Sequence, residues 1–185
     1  GYDFSTSLAA SLIHTYGSCA AIADGIAFFS TVCKPDIMSW NACICGCGAG
    51  GASIHMFEQL SHMGNEPDEV TFVNILFICS HAGLVEKGQR YFKAMITEYG
   101  INPNIRHLGC IVDLLGRVGQ LNEAVFMLDK FDQPDLVACN SVLGASQKLG
   151  NVEVCEQVFE SSLRLNQHDS TSFIMMSNMY ANFSF

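Results

Sequence analysis

A chain of 185 residues with 49% hydrophobic and 15% charged residues carries enough apolar surface to offset the entropy lost on ordering, which excludes a solvated disordered chain. Its formal net charge of −9 argues against a protein held on nucleic acid chiefly by phosphate neutralisation. Bases are scarcest at the start: residues 1–68 hold one (Lys34) against six acids, 69–135 six against eight, and 136–185 two against four.

The chain opens at Gly1 rather than Met, and GYDFSTS resembles neither a secretory signal nor an Arg-rich transit segment. A stretch of a longer protein is therefore expected, with residues 1–5 closing an earlier element. From there a Pro followed by a small polar residue recurs at Pro35-Asp36, Pro67-Asp68, Pro103-Asn104 and Pro134-Asp135, at spacings of 32, 36 and 31 residues. Four positions after each acidic or amide marker comes an aromatic or apolar residue, namely Trp40, Phe72, Leu108 and Cys139, and a helical apolar pattern follows.

The units drawn from this period are 6–36, 37–68, 69–104, 105–135 and 136–169, with a further one opening at 170. Unit 37–68 contains Gly46, Gly48, Gly50 and Gly51 within six residues, each costing a helix about 1 kcal/mol relative to Ala, so a shortened first helix or an altered turn is expected there. Unit 69–104 divides at Gly83 in HAGLVEKG, 105–135 at Gly119 in RVGQLNEA, and 136–169 at Gly150 in KLGNVEVC. A Gly at such a point takes the left-handed conformation that ends one helix and turns the chain into the next. The second halves are amphipathic, as in Leu84, Gly88, Tyr91, Phe92 and Met95, or Leu121, Ala124, Val125 and Leu128. Each unit reads as a helical hairpin that cannot bury both faces alone, so the fold expected is all-α: an α-α superhelix, a right-handed solenoid of tetratricopeptide-like hairpins. The final run, with Phe173, Ile174, Met175 and Met176, then Met179 and Tyr180, is apolar and lacks a polar cap, which suggests an incomplete last hairpin with a sticky helix.

No uninterrupted apolar run approaches the roughly 18–20 residues needed to span a bilayer, so no membrane partner is expected. The nine cysteines fall mostly among Ala, Leu, Ile and Gly inside helical patterns, where Cys serves as a small packing residue. Cys43, Cys45 and Cys47 are the sharpest metal candidates, but only Cys43 and Cys47 share a helical face and no second ligand pair follows. No metal and no cofactor are expected. His14, His55, His62, His81, His107 and His168 stand outside the His-x-Glu and Pro-Cys-x-x-Cys arrangement of the zinc deaminases. Nor does Gly48-Ala49-Gly50-Gly51 have the strand before it or the Lys-Ser after it that a phosphate loop requires. The chain is not read as an enzyme.

The stretches DIMSWNACI, PDEVTFVNILFICSHAGLVEKGQRYFKAMITEYGINPN, HLGCIVDLLGRVGQLNEA and LGASQKLGNVEVCEQ resemble plant pentatricopeptide repeat proteins of the subclass with alternating long and short repeats. By that resemblance 6–36 is a short repeat, 37–68 a standard one that is shortened, 69–104 a long one and 105–135 a final short one. Residues 136–169 then form the first extension motif, and 170–185 open the second.

The resemblance implies sequence-specific binding of single-stranded RNA in mitochondria or chloroplasts, selecting cytidines for conversion to uridine, with an editing deaminase or editing factor as a further partner. It also implies that the fifth and last residues of each repeat read one base. In 37–68 these are Asn41 and Asp68, a pair that the family's code associates with uracil, with Met38 and Val70 sandwiching the base. The other repeats offer weaker pairs: Ala10 with Asp36, Val73 with Asn104, and Gly109 with Asp135. A blander reading competes at several of these positions. Trp40 and Phe72 are core anchors rather than stacking platforms, and Asp36 and Asp135 serve equally well as helix N-caps. The competing function is a helical scaffold that binds protein, consistent with the acidity.

Overall fold

The computed structural model describes residues 11, 15, 22–31, 35–47, 50–130 and 136–183. Ten α-helices occur among the described residues: α1 (Ile22–Phe29), α2 (Ile37–Gly46), α3 (Gly50–His62), α4 (Glu69–Ala82), α5 (Val85–Thr97), α6 (Ile105–Arg117), α7 (Leu121–Asp129), α8 (Leu136–Leu149), α9 (Val152–Leu165) and α10 (Ser170–Phe183). No described residue is in a strand. The all-α fold of stacked hairpins expected from the repeat period is the one observed.

The chain divides into two compact bodies, one of residues 1–82 with 87–102 and the other of 83–86 with 103–185. In the first, α2 packs on α3 within its hairpin and on α4, the leading helix of the next. The second repeats the arrangement: α6 packs on α7 and on α8, and α8 packs on α9 and on α10. Contact between leading helices of successive hairpins is what a one-dimensional repeat requires, since each hairpin's exposed apolar face is covered by its neighbour.

The Pro-Asp period sets where leading helices begin. Asp36 has extended backbone (φ −83°, ψ 173°), and its Oδ1 accepts the Ser39 N–H at 2.9 Å, an N-cap that holds the first turn of α2. Four residues on, Trp40 and Phe72 are buried, and Trp40 meets Phe29 edge-on at 4.5 Å between ring centres. In the first body Phe57 stands edge-on to both Phe72 (5.7 Å) and Tyr91 (4.9 Å). Cys139 occupies the equivalent position in the second body and is also buried, beside Val142 and Leu143. Cys43, Cys47, Cys79 and Cys155 are likewise buried, and Cys43 Sγ lies 3.5 Å from Met56 Sδ.

Hairpin turns follow the glycines. Gly83, Gly119 and Gly150 have φ of 65°, 82° and 69° at the junction inside a hairpin. Gly64 and Gly100, which the sequence pattern does not single out, have φ of 75° and 64° where one hairpin passes to the next. The glycine-rich stretch has its own effect: α2 spans 10 residues, whereas α4 and α8 each span 14.

Candidate nucleic-acid interface

Asn41 is the fifth residue of α2 and lies one turn beyond Met38 on the same helical face. It is 9% exposed, and its Nδ2 donates to Asp68 Oδ1 at 3.1 Å. Asp68 stands immediately before α4 and is fixed there by its role as a cap. Its Oδ1 accepts the Thr71 N–H at 2.8 Å and the Thr71 hydroxyl at 2.8 Å, while its own N–H donates to Thr71 Oγ1 at 3.1 Å. Asn74, on α4, donates to the backbone oxygen of Asn41 at 3.4 Å, so α4 holds the Asn41 backbone while its capping Asp68 holds the side chain.

Electrostatics and hydrogen bonding fix the orientation of this pair. Burial raises the Asp68 carboxyl, but hydrogen bonds from the Thr71 backbone and hydroxyl, the Asn41 amide and the Val70 backbone outweigh it and hold the group below its ordinary value. An ionised carboxylate only accepts, so the Asn41 amide must turn its nitrogen toward Asp68 and its oxygen away. That oxygen, Oδ1, is buried and has no hydrogen-bond partner. A desolvated acceptor of this kind costs about 1–3 kcal/mol until a donor reaches it. Met38 and Val70, the second residues of α2 and α4, are 58% and 52% exposed.

The remaining candidates are placed differently. The Asp36 carboxylate caps α2, bonding the Ser39 N–H and the Ser39 hydroxyl, the latter at 2.7 Å. Its sequence partner Ala10 lies outside the described residues, as does Asp135. Asn104 caps α6: its Oδ1 accepts from the Arg106 and His107 N–H groups, and its own N–H donates to His107 Nδ1 at 3.1 Å. This capping box occupies the Asn104 oxygen and buries His107 completely. The sequence partner of Asn104 in its repeat, Val73, carries no side-chain amide.

The structure also brings together a pair that sequence reasoning missed. Asn140 Nδ2 donates to Asp169 Oδ2 at 3.5 Å, and Asp169 accepts the Ser172 N–H at 3.0 Å and the Ser172 hydroxyl at 2.6 Å. Asn140 is the fifth residue of α8, and Asp169 stands immediately before α10, as Asn41 and Asp68 do in the first body. The signal was present as an Asn five residues into a unit and an Asp at its end, followed by Ser or Thr at the third position. The hydrogen bonds from Ser172 lower the Asp169 carboxyl, with the Asn140 amide adding to the same effect.

Among the described residues no three His, Cys, Asp or Glu side chains converge as a metal site, and no helix is long and apolar enough to cross a membrane.

Leading helices that stack on one another, four of them opened by Asp36, Asp68, Asn104 and Asp169 as caps, define an α-α repeat protein. Residues 70–99 match the family model described as PPR repeat. Across nearly its whole length the chain is 35% identical to two Arabidopsis thaliana proteins: pentatricopeptide repeat-containing protein At2g03880, mitochondrial, and At1g08070, chloroplastic. The alignments cover 98% of this chain and 29% and 25% of those proteins. The maize pentatricopeptide repeat protein PPR10, solved with an 18-nt psaJ RNA element, superposes with a TM-score of 0.73 at 17% identity, over 100% of this chain and 27% of that one. The PPR domain of Arabidopsis thaliana protein-only RNase P 1, solved with tRNA, superposes with a TM-score of 0.74 at 14% identity, over 92% and 96%. The chain is part of a pentatricopeptide repeat protein, and it spans about a quarter to a third of the length of the curated relatives it matches.

Proposed function

We propose that the chain binds single-stranded RNA in a mitochondrion or chloroplast, helps select the sites of cytidine-to-uridine editing, and leaves the chemistry to a deaminase partner. The observation that carries the RNA reading is the Asn41–Asp68 pair, with an oriented amide whose oxygen lacks a donor. Uracil presents an N3–H donor beside a carbonyl acceptor, which matches Asn41 Oδ1 and the second hydrogen on Nδ2. Cytosine in the same pose sets its N3 acceptor against the amide oxygen and satisfies that oxygen only by sliding its N4 amine onto it, a misalignment costing about 1–3 kcal/mol. To reach that oxygen the base must enter between Met38 and Val70 and displace what covers it. The editing role, the organelle and the alternating-repeat subclass rest on the sequence resemblance, and the named relatives are consistent with either organelle.

Filter binding of the natural full-length protein to short single-stranded RNAs across a salt series tests the reading. Binding with one uracil-selective position supports it, and no binding at any salt concentration sinks it. The net charge of −9 favours a second reading, a helical scaffold for protein partners, and the same experiment separates the two.

A further inference from the structure

The two Asn–Asp pairs differ at one atom. In the first, nothing bonds Asn41 Oδ1, and the hydroxyl of Thr71 goes to Asp68 alone. In the second, the equivalent hydroxyl, Ser172 Oγ, stands 2.6 Å from Asp169 Oδ2 and also 3.0 Å from Asn140 Oδ1. Ser172 has one hydroxyl proton and shares it between the carboxylate and the amide oxygen. The three side chains thus close a ring: Asn140 donates to Asp169, and Ser172 bonds both. The amide atoms that would face a base are engaged inside the protein.

We infer that Ser172 is a specificity-determining residue: with its hydroxyl on Asn140 Oδ1 the Asn140–Asp169 pair is a closed brace, and with that contact removed the pair recognises the uracil edge of single-stranded RNA. The inference rests on Asn41–Asp68 being a base reader. Three features support it. The pair sits in the same register as the first, at the fifth residue of a leading helix and the residue before the next. Its donor geometry is the same, with the amide nitrogen on the capping carboxylate. Val137 is 68% exposed and holds on α8 the position that Met38 holds on α2, leaving an apolar side chain where a base would lie.

The test measures base preference at each position of a randomised single-stranded RNA pool bound by the natural full-length protein and its variants. Asn41→Ala should abolish uracil preference at one position; if it changes nothing, the reading and the inference fall together. Asn140→Ala, which leaves the Asp169–Ser172 cap in place, should alter no position, and a change there overturns the inference while leaving the reading of Asn41 intact. Ser172→Ala should create a new uracil preference of about fivefold at a different position, removed again by adding Asn140→Ala. Ser172→Thr copies Thr71, keeps the cap and should act in the same direction, so it decides the matter where Ser172→Ala unfolds. Folded Ser172 variants with no new preference overturn the inference, whatever Asn41→Ala does.

Discussion

Asn41–Asp68 and Asn140–Asp169 are built from the same two residue types at the same register, yet only the first leaves an acceptor unspent. In both, the carboxylate is placed by its work as a helix cap, and the amide is oriented by that carboxylate. The difference comes from the third residue of the following helix, Thr71 or Ser172, and from whether its hydroxyl reaches back across the repeat boundary. On the reading proposed above, recognition depends on three residues, and identity at two of them does not settle it. The hairpins around the pairs differ as well. Asn41 sits on a leading helix of 10 residues followed by glycines, and Asn140 on one of 14.

The largest expected contrast is in the cores beneath the two pairs. Trp40→Ala removes a fully buried indole and its edge contact with Phe29, and should lower stability by about 3–5 kcal/mol. Cys139→Ala, at the equivalent place, deletes little more than a methylene's worth of buried surface and should cost about 1 kcal/mol. Denaturant melts followed by circular dichroism measure both, and equal losses would contradict the anchoring role of Trp40. Next come the caps: Asp68→Ala should cost about 0.5–2 kcal/mol and Asp169→Ala should lower stability too, but only Asp68→Ala should also erase a base preference. Loss of base preference in both variants would make the two pairs equivalent, against the account.

Acid should affect the two pairs alike. Both carboxyls are depressed below the ordinary 3.8 by folding. Their contribution to stability is therefore complete above that value and is lost as pH falls through the lower folded values. Melting temperature should show no loss from these two groups between about pH 8 and about pH 5, and a fall below about pH 4 that the double variant Asp68→Ala/Asp169→Ala shows less of. The smallest effect concerns salt. With nine bases against eighteen acids, RNA affinity should fall only gently with ionic strength, and a steep slope would shift the account from base reading toward phosphate contacts.

The repeat period, the marker residues and the core anchors were legible because they depend on local chemistry: capping by Asp36, burial of Trp40 and Phe72, left-handed turns at Gly83, Gly119 and Gly150. Gly64 and Gly100 escaped notice because the turns between hairpins carry no flanking motif as regular as those within them. At the site, Asn41, Asp68, Met38 and Val70 could be named in advance, since their positions follow from the register. What could not be read was where each polar side chain spends its hydrogen bonds. Asn104 spends its oxygen on the first turn of α6, as Asp68 does on the first turn of α4. Asn140 stands at a reading position, yet Ser172 holds its oxygen. Those outcomes depend on rotamers and on contacts 27 to 32 residues apart, which a one-dimensional pattern does not contain.

Asn41, oriented by Asp68, is proposed to read one base. Binding of the natural full-length protein and its Asn41→Thr variant to a randomised single-stranded RNA pool tests it most directly. A single position should change its preference from uracil to guanine, as the family's code implies, while every other position keeps its own. An unchanged profile in a variant that still binds RNA would contradict it.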